Sequence, residues 1–417
     1  MALRWEDIRL CSSGKRSASS SAAADFIAGE IEFVRNPGRC PNLLSVASRS
    51  ACAAWAAMPG FAKQRWASRL MWPLIRNAAR CLPLPPERFP MSPNSPAIPV
   101  FFDADRVARH LPWQPLINAL KTAFSAGDVS APTRSHHRLD GVASGSPMLL
   151  TMPAWSARLG VGTKLVAVYP DNHQHALPSI HGLYVLMEAA TGRPQAVLDG
   201  GELTSRRTAA ASALASQCLS RPDGRTLLMV GAGRLSQYLP LAHAQVRPIE
   251  RVLVWGRSLE KSQAAARELS AAGLRAEAVE SLEEGCGEAD IISCATLARE
   301  PILRGDWLRP GTHVDLVGAF TPAMCEADGR VFERAAVVYG DTLDGVLAEA
   351  GDVIQALASG ALKRQQLMGG LADLCRATVP PARGNTDITV FKSVGAALED
   401  LVAARLCLDL HTISLKA

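Results

Sequence analysis

No two cysteines of this chain stand at a CxxC spacing, and none of the ten falls into a zinc-like pattern. Scattered as they are, they read as reduced thiols of a cytoplasmic protein, not as a disulfide framework. No apolar run is long enough to span a bilayer, so no membrane is expected among the partners. The opening residues, MALRWEDIRLCSSGKR, carry early acids and no apolar core, which argues against a secretory signal. A basic stripe is missing too. Of the net charge of +5, residues 1–90 carry 13 Lys and Arg against 6 Asp and Glu, so the rest of the chain stands at −2. Nucleic acid is therefore not an expected partner either.

What is present is a 417-residue chain, 48% hydrophobic and 20% charged, long enough for two domains with real cores. Its head differs from its body. Residues 1–97 hold SASSSAAA, scattered Arg, four of the eight Trp, and seven Pro between 83 and 99. The composition reads as a disordered basic and Pro-rich extension, or as translated upstream sequence with its working start at Met91. A basic amphipathic helix broken at Pro59 would instead make the head a membrane- or partner-binding arm. Patterned sequence begins at IPVFFDADRVARHL.

The clearest motif is RTLLMVGAGRLSQYLPLAHAQ, residues 225–245. An apolar β-type run ends in Gly231-Ala232-Gly233-Arg234-Leu235-Ser236, and a helical pattern follows. The first glycine permits a tight turn and the second lets a pyrophosphate approach the backbone. The third position needs a small residue, and here it is Ser236. The N-terminus of the following helix is expected to present free N–H groups to the phosphates. Further β-type runs at RVLVWGRS, ADIISCAT, THVDLVGA and AAVVYGD complete a βαβ series. At the end of RVLVWGRS an NAD site would place Asp or Glu. This chain has Gly256, Arg257 and Ser258, which leave room for a 2′-phosphate and offer it a guanidinium and a hydroxyl. NADPH is the expected cofactor, with NADH as second choice.

Four segments together carry a resemblance: GVGTKLVAVYP through LTSRRTAAASALAS, the VGAGRLSQ loop, HVDLVGAFTP, and ITVFKSVGAALEDL. In this order they are similar to the ornithine cyclodeaminase/μ-crystallin family over roughly residues 98–405. The resemblance implies an α/β fold: a Rossmann dinucleotide-binding domain, 223–341, plus an α+β substrate-binding and dimerisation domain built from both chain ends, 98–222 with 342–417. It implies a homodimer and a small substrate held by its carboxylate. Lys164 in GTKLVAVYP, Arg207 in RRTAAASA and, more loosely, Arg134 in APTRSHHRLDG match the family's carboxylate-binding cations. Thr208, Ala209 and Thr296 are implied near the cofactor. Asp315 and Val317 are implied beside the nicotinamide, and Lys392-Ser393-Val394-Gly395 nearby.

The reaction turns on VGAFTP. The resemblance implies that deaminating members keep an Asp where this chain has Phe320. Cyclodeamination needs a general base there, and phenylalanine is none. Hydride transfer asks the protein only to orient cofactor and substrate and exclude water. The expected activity is therefore reduction of cyclic imino acids: Δ1-pyrroline-2-carboxylate to proline and Δ1-piperideine-2-carboxylate to pipecolate. Phe320 and Asp315 line the expected pocket, and the proton donor is unidentified. An ornithine cyclodeaminase, an alanine dehydrogenase or a non-catalytic NADP-binding protein are the rival readings. His136, His137, His173 and His175 make HH and HxH pairs without an acidic third ligand, so no metal is expected.

Overall fold

The period-two alternation of TKLVAVYP and IHGLYVLME builds an antiparallel sheet with one face packed and one face open. The computed structural model describes residues 98–143, 145–377 and 384–416. The head, with the helix expected around Pro59, lies outside them. The first described elements are β1 (Val100–Phe102), α1 (Ala104–His110) and α2 (Trp113–Ala126), then β2 (Ser135–Arg138), β3 (Met148–Ser156), β4 (Gly160–Val168), β5 (Ile180–Met187) and β6 (Pro194–Asp199). Their order in the sheet is β1-β6-β5-β4-β3-β2, with only the β1–β6 pair parallel. In register, Leu198, Tyr184, Lys164 and Met152 form one cross-sheet row on the inner face.

Helix α3 (Gly200–Leu219) follows at once, because the Asp199 side chain caps it by accepting the Glu202 N–H at 2.7 Å. The expected helix over LTSRRTAAASALAS lies inside these limits. Nearly every face of α3 is buried, and its alanines and serines let a sheet approach from either side. It touches β4, β5 and β6 of the first sheet and two strands of the second.

That second sheet comprises β7 (Thr226–Val230), β8 (Arg251–Trp255), β9 (Ala276–Ala278), β10 (Ile291–Cys294), β11 (His313–Leu316), β12 (Ala335–Gly340), β13 (Leu367–Gly370) and β14 (Ile388–Lys392). The helices among them are α4 (Leu239–His243), α5 (Leu259–Ala271), α6 (Leu282–Glu288), α7 (Gly329–Arg334), α8 (Leu343–Glu349), α9 (Gly351–Ser359) and α10 (Leu371–Arg376); α11 (Ala397–Ser414) ends the described chain. All eight strands are parallel, in the order β13-β12-β14-β11-β10-β7-β8-β9. The β9-β8-β7-β10-β11 portion is the Rossmann order, which reverses between β7 and β10.

One boundary differs from expectation. Residues 342–417 do not all join the first sheet, since β13 and β14 belong to the Rossmann sheet. Every residue of β14 is buried, so it needs cover on both faces, and the slot between β11 and β12 provides it. Only α10 and α11 return, packing on α2.

Candidate active site

The carboxyl ends of β7, β8, β10 and β11 share one edge, the edge where open α/β sheets bind ligands. Gly231 leaves β7 at φ +113°, and its N–H donates to the Trp255 carbonyl at 2.7 Å. A Cβ there would lie 2.7 Å from the Ala295 carbonyl, so no other residue fits without strain. Around Gly233 the space is open, with nothing within 4 Å of a would-be Cβ. That opening suits a phosphate on the bare backbone. Ser236 is buried, and its Oγ donates to the Gly233 carbonyl at 2.6 Å. It fills the third position of the motif as a small residue must.

Two details depart from expectation. Arg234–Gln237 is a 3₁₀ turn, and α4 after it has only five residues with Pro240 in its first turn. A continuous helix does not start at the phosphate loop. Arg234 also turns away from the loop: its Nε donates to Ser205 at 2.7 Å and its Nη2 pairs with Glu202 at 3.2 Å. Leu235 beside it is half-buried against the core.

At the end of β8, Gly256 packs tightly, its would-be Cβ 3.2 Å from the Ala232 Cβ. Arg257 is exposed and makes no ion pair with a described residue. The Ser258 Oγ caps α5, accepting the Lys261 N–H at 3.3 Å.

The three expected carboxylate-binding cations are all present near the start of α11, but each already has an acid. Lys164 sits on the inner face of β4, with Nζ 2.8 Å from Asp400 Oδ2 and 3.3 Å from Thr204 Oγ1. Burial, reinforced by Arg207 and opposed by Asp400, pulls its pKa down to about 8. Arg207, on α3, donates through Nε to Asp400 at 3.0 Å and through Nη1 to Glu399 at 2.6 Å. Burial opposes its charge, yet these two carboxylates outweigh that and raise its pKa. Arg134 reaches the same loop, its Nη2 donating to the Val394 and Gly395 carbonyls at 2.6 and 3.1 Å and pairing with Glu349 at 2.8 Å. Of the three, Arg134 alone lines a cavity of about 330 Å³, with Met152, Thr342, Glu349, Val394 and Leu398 among its walls.

Phe320 is 37% exposed beyond the end of β11. It is not a wall of that cavity.

The model for the ornithine cyclodeaminase/mu-crystallin family matches residues 99–412. The chain is 42% identical over 328 residues to an uncharacterized protein of Schizosaccharomyces pombe, covering 75% of this chain and 98% of that one. It is 36% identical over 309 residues to the Delta(1)-pyrroline-2-carboxylate reductase of Paracoccus denitrificans, covering 73% and 95%. Among solved structures, the Thermococcus litoralis Delta(1)-pyrroline-2-carboxylate reductase in complex with NADH and L-proline superposes with a TM-score of 0.71 at 29% identity, covering 76% and 98%. This chain belongs to the ornithine cyclodeaminase/mu-crystallin family.

Within this family member, Asp315 needs correction as a pocket residue. It is fully buried inside the sheet and accepts from Ser212 at 2.9 Å and Ser293 at 2.6 Å, with His243 Nε2 at 3.3 Å. Burial favours its neutral form, but His243 and Ser293 outweigh that and lower its pKa. It ties β11 to α3, α4 and β10. Val317, two residues further and just past β11, is buried, its N–H donating to the Cys294 carbonyl. Thr208 and Ala209 are buried on α3. Lys392 is also wholly buried, 2.8 Å from Asp352.

The acids were the residues sequence reasoning missed. Glu399 and Asp400 hold two cations, Glu349 holds the third, and Asp341 accepts the amides of Val394 and Gly395 at 2.8 and 2.5 Å. The one signal in the sequence, for Glu399 and Asp400, is a pair of adjacent acids in an apolar helical run, ALEDLVAA. Of the histidines, His136 lies 3.9 Å from Glu349, His137 is 3.5 Å from Thr151 Oγ1, and His175 is exposed. The side chain of His173 lies outside the described residues. Among the described residues no group of three His, Cys, Asp or Glu is arranged to hold a metal.

Proposed function

We propose that this protein reduces cyclic imino acids with a nicotinamide cofactor, preferring NADPH, and converts Δ1-pyrroline-2-carboxylate to proline and Δ1-piperideine-2-carboxylate to pipecolate. The observation that carries the reading is Phe320 in the segment that follows β11, in a chain otherwise similar to pyrroline-2-carboxylate reductases. By the family resemblance, a side chain that cannot take a proton occupies the position where the deaminating members keep an Asp as base.

The bound cofactor supplies the hydride. The chain supplies the rest. Arg134 holds the substrate carboxylate, because Nη2 is engaged by Val394, Gly395 and Glu349 while Nε and Nη1 make no bond to a described residue. The engaged nitrogen fixes the guanidinium plane and the others meet the ligand. Lys164 and Arg207 set the charge behind it. Met152, Val394 and Leu398 keep water from the ring. The open Gly233 backbone takes the pyrophosphate and Arg257, exposed and free of ion pairs among the described residues, takes the 2′-phosphate.

The reading includes a homodimer. The outer face of the six-stranded sheet leaves Phe101, Trp155, Leu165 and Leu183 exposed, a patch that suits a second copy. It also keeps two domains, divided along α3 with β13 and β14 on the nucleotide side. The cytoplasmic assignment rests on the six described cysteines, all free thiols. No helix among the described residues is long and apolar enough to cross a membrane.

The deciding experiment follows NADPH oxidation with each imine, beside NADH. Turnover with both imines and a lower KM for NADPH is expected. Absence of turnover with either imine defeats the reading, and ammonia released from ornithine would replace it.

A further inference from the structure

A buried carboxylate that no step above uses lies directly behind the nucleotide edge. Glu326 is 0% exposed, and its two oxygens accept four hydrogen bonds. Oε1 takes the Thr296 N–H at 2.7 Å and the Thr296 hydroxyl at 2.9 Å. Oε2 takes the Gly318 N–H at 2.6 Å and the Ala319 N–H at 3.2 Å. Thr296 follows β10 and Gly318–Ala319 follows β11, so one side chain ties together the ends of two adjacent parallel strands. The packing is close, since a Cβ on Gly318 would lie 2.0 Å from the Thr296 carbonyl. The same loop abuts the nucleotide turn through the contact between Ala295 and Gly231.

The charge around Glu326 does not cancel. Lys392 Nζ is 4.0 Å from Glu326 Oε2 but 2.8 Å from Asp352 Oδ2, its nearer partner. Asp352 Oδ1 in turn accepts the backbone N–H groups of Glu326 and Ala327 at 2.6 and 3.1 Å. Two carboxylates and one ammonium, all essentially inaccessible, leave one negative charge unmatched. Four donors around Glu326 fit the anion, because an ionised carboxylate only accepts. Burial, eased by Lys392 and aggravated by Asp352, lifts its pKa to about 7, so above neutrality the anion prevails.

Resting on the dinucleotide reading above, we propose that Glu326 is a positioning residue that fixes the carboxyl edge of β10 and β11 and whose buried charge favours the oxidised, cationic nicotinamide over the reduced, neutral one. Hydride departure leaves a positive charge on the ring, and a fixed negative charge in a low-dielectric wall stabilises that state without reorganising. The site is thereby biased toward giving up hydride.

The test reads binding and needs no turnover. Dissociation constants for NADP+ and NADPH are measured at pH 8 on the full chain and on its Glu326→Gln and Glu326→Asp variants. Glu326→Gln is expected to weaken NADP+ about tenfold more than NADPH, the size a single charge exerts across several ångströms of partly polar protein. Equal weakening of both forms, or no change, overturns the inference, because a purely structural role would not distinguish the two charges. Glu326→Asp keeps the charge while withdrawing it from the loops, so both affinities fall but their ratio stays near that of the parent. A ratio moved about tenfold toward NADPH in the Asp variant overturns the inference as well, and this arm decides if the Gln variant fails to fold. A parent chain that binds neither NADP+ nor NADPH is titrated with NAD+ and NADH, on which the same ratio is read; one that binds none of the four removes the dinucleotide reading, and the inference with it.

Discussion

Lys164 shows how one position acquires its chemistry from its surroundings. Its place in the alternation of β4 puts it on the inner face, between Tyr184 and Met152 in register. Burial there lowers its pKa to about 8, so its ammonium is present below that pH and lost as pH rises through it. The positive charge behind the proposed carboxylate site falls accordingly. We expect the Ki of pyrrole-2-carboxylate, whose ring nitrogen does not titrate in this range, to weaken above about pH 8; a flat Ki from pH 7 to 9.5 would exclude Lys164 from the site. Arg257 is the opposite case, exposed and without an ion pair to a described residue. Arg257→Asp removes the guanidinium from the expected 2′-phosphate and adds a repelling charge. NADPH should lose about 10- to 100-fold in kcat/KM while NADH changes little, since a hydrogen bond to a charged group contributes roughly 1.5–3 kcal/mol. An unchanged cofactor ratio would show that the pocket reads something other than the phosphate.

At the scale of elements, the turn after β7 was legible and the helix after it was not. Gly231, Gly233 and Ser236 stand where a dinucleotide turn needs them, because each position has its own backbone or packing requirement. Pro240 is in plain view in the sequence, yet its effect depends on where the helix begins, and the chain makes a 3₁₀ turn first. Gly231→Ala places a methyl group 2.7 Å from the Ala295 carbonyl at a φ that L residues avoid. The strain, about 1–3 kcal/mol, is expected to weaken NADPH binding about tenfold or more in a fluorescence titration; an unaltered Kd would mean the turn does not approach the cofactor. The second misreading was β14. Its apolar run looks the same whether a strand joins one sheet or another, and only the vacant slot between β11 and β12 decides.

At the scale of the molecule, two sheets share one helix, and α3 carries residues of both sites on one rigid rod. Arg207 on it faces the acids of α11, and Ser205 on it holds Arg234 of the nucleotide turn. The outer face of the six-stranded sheet bears on assembly. Leu165 and Leu183 are directly opposed in register and exposed. Leu165→Glu should convert the proposed dimer to monomer in light scattering without lowering the melting temperature of the monomer fold; a dimer that persists would place the interface elsewhere. Sequence by itself determined the βαβ order and the glycine turn after β7, because each depends on residue type at a local spacing; the resemblance, not spacing, pointed to Phe320 and to the cations Arg134, Lys164 and Arg207. Tertiary structure alone decided which acids neutralise those cations, why Asp315 is a strut and not a pocket residue, and how Glu326 comes to lie behind the nucleotide edge. Those contacts join residues as far apart as Lys164 and Asp400, and what makes them matter is burial, which no local pattern records.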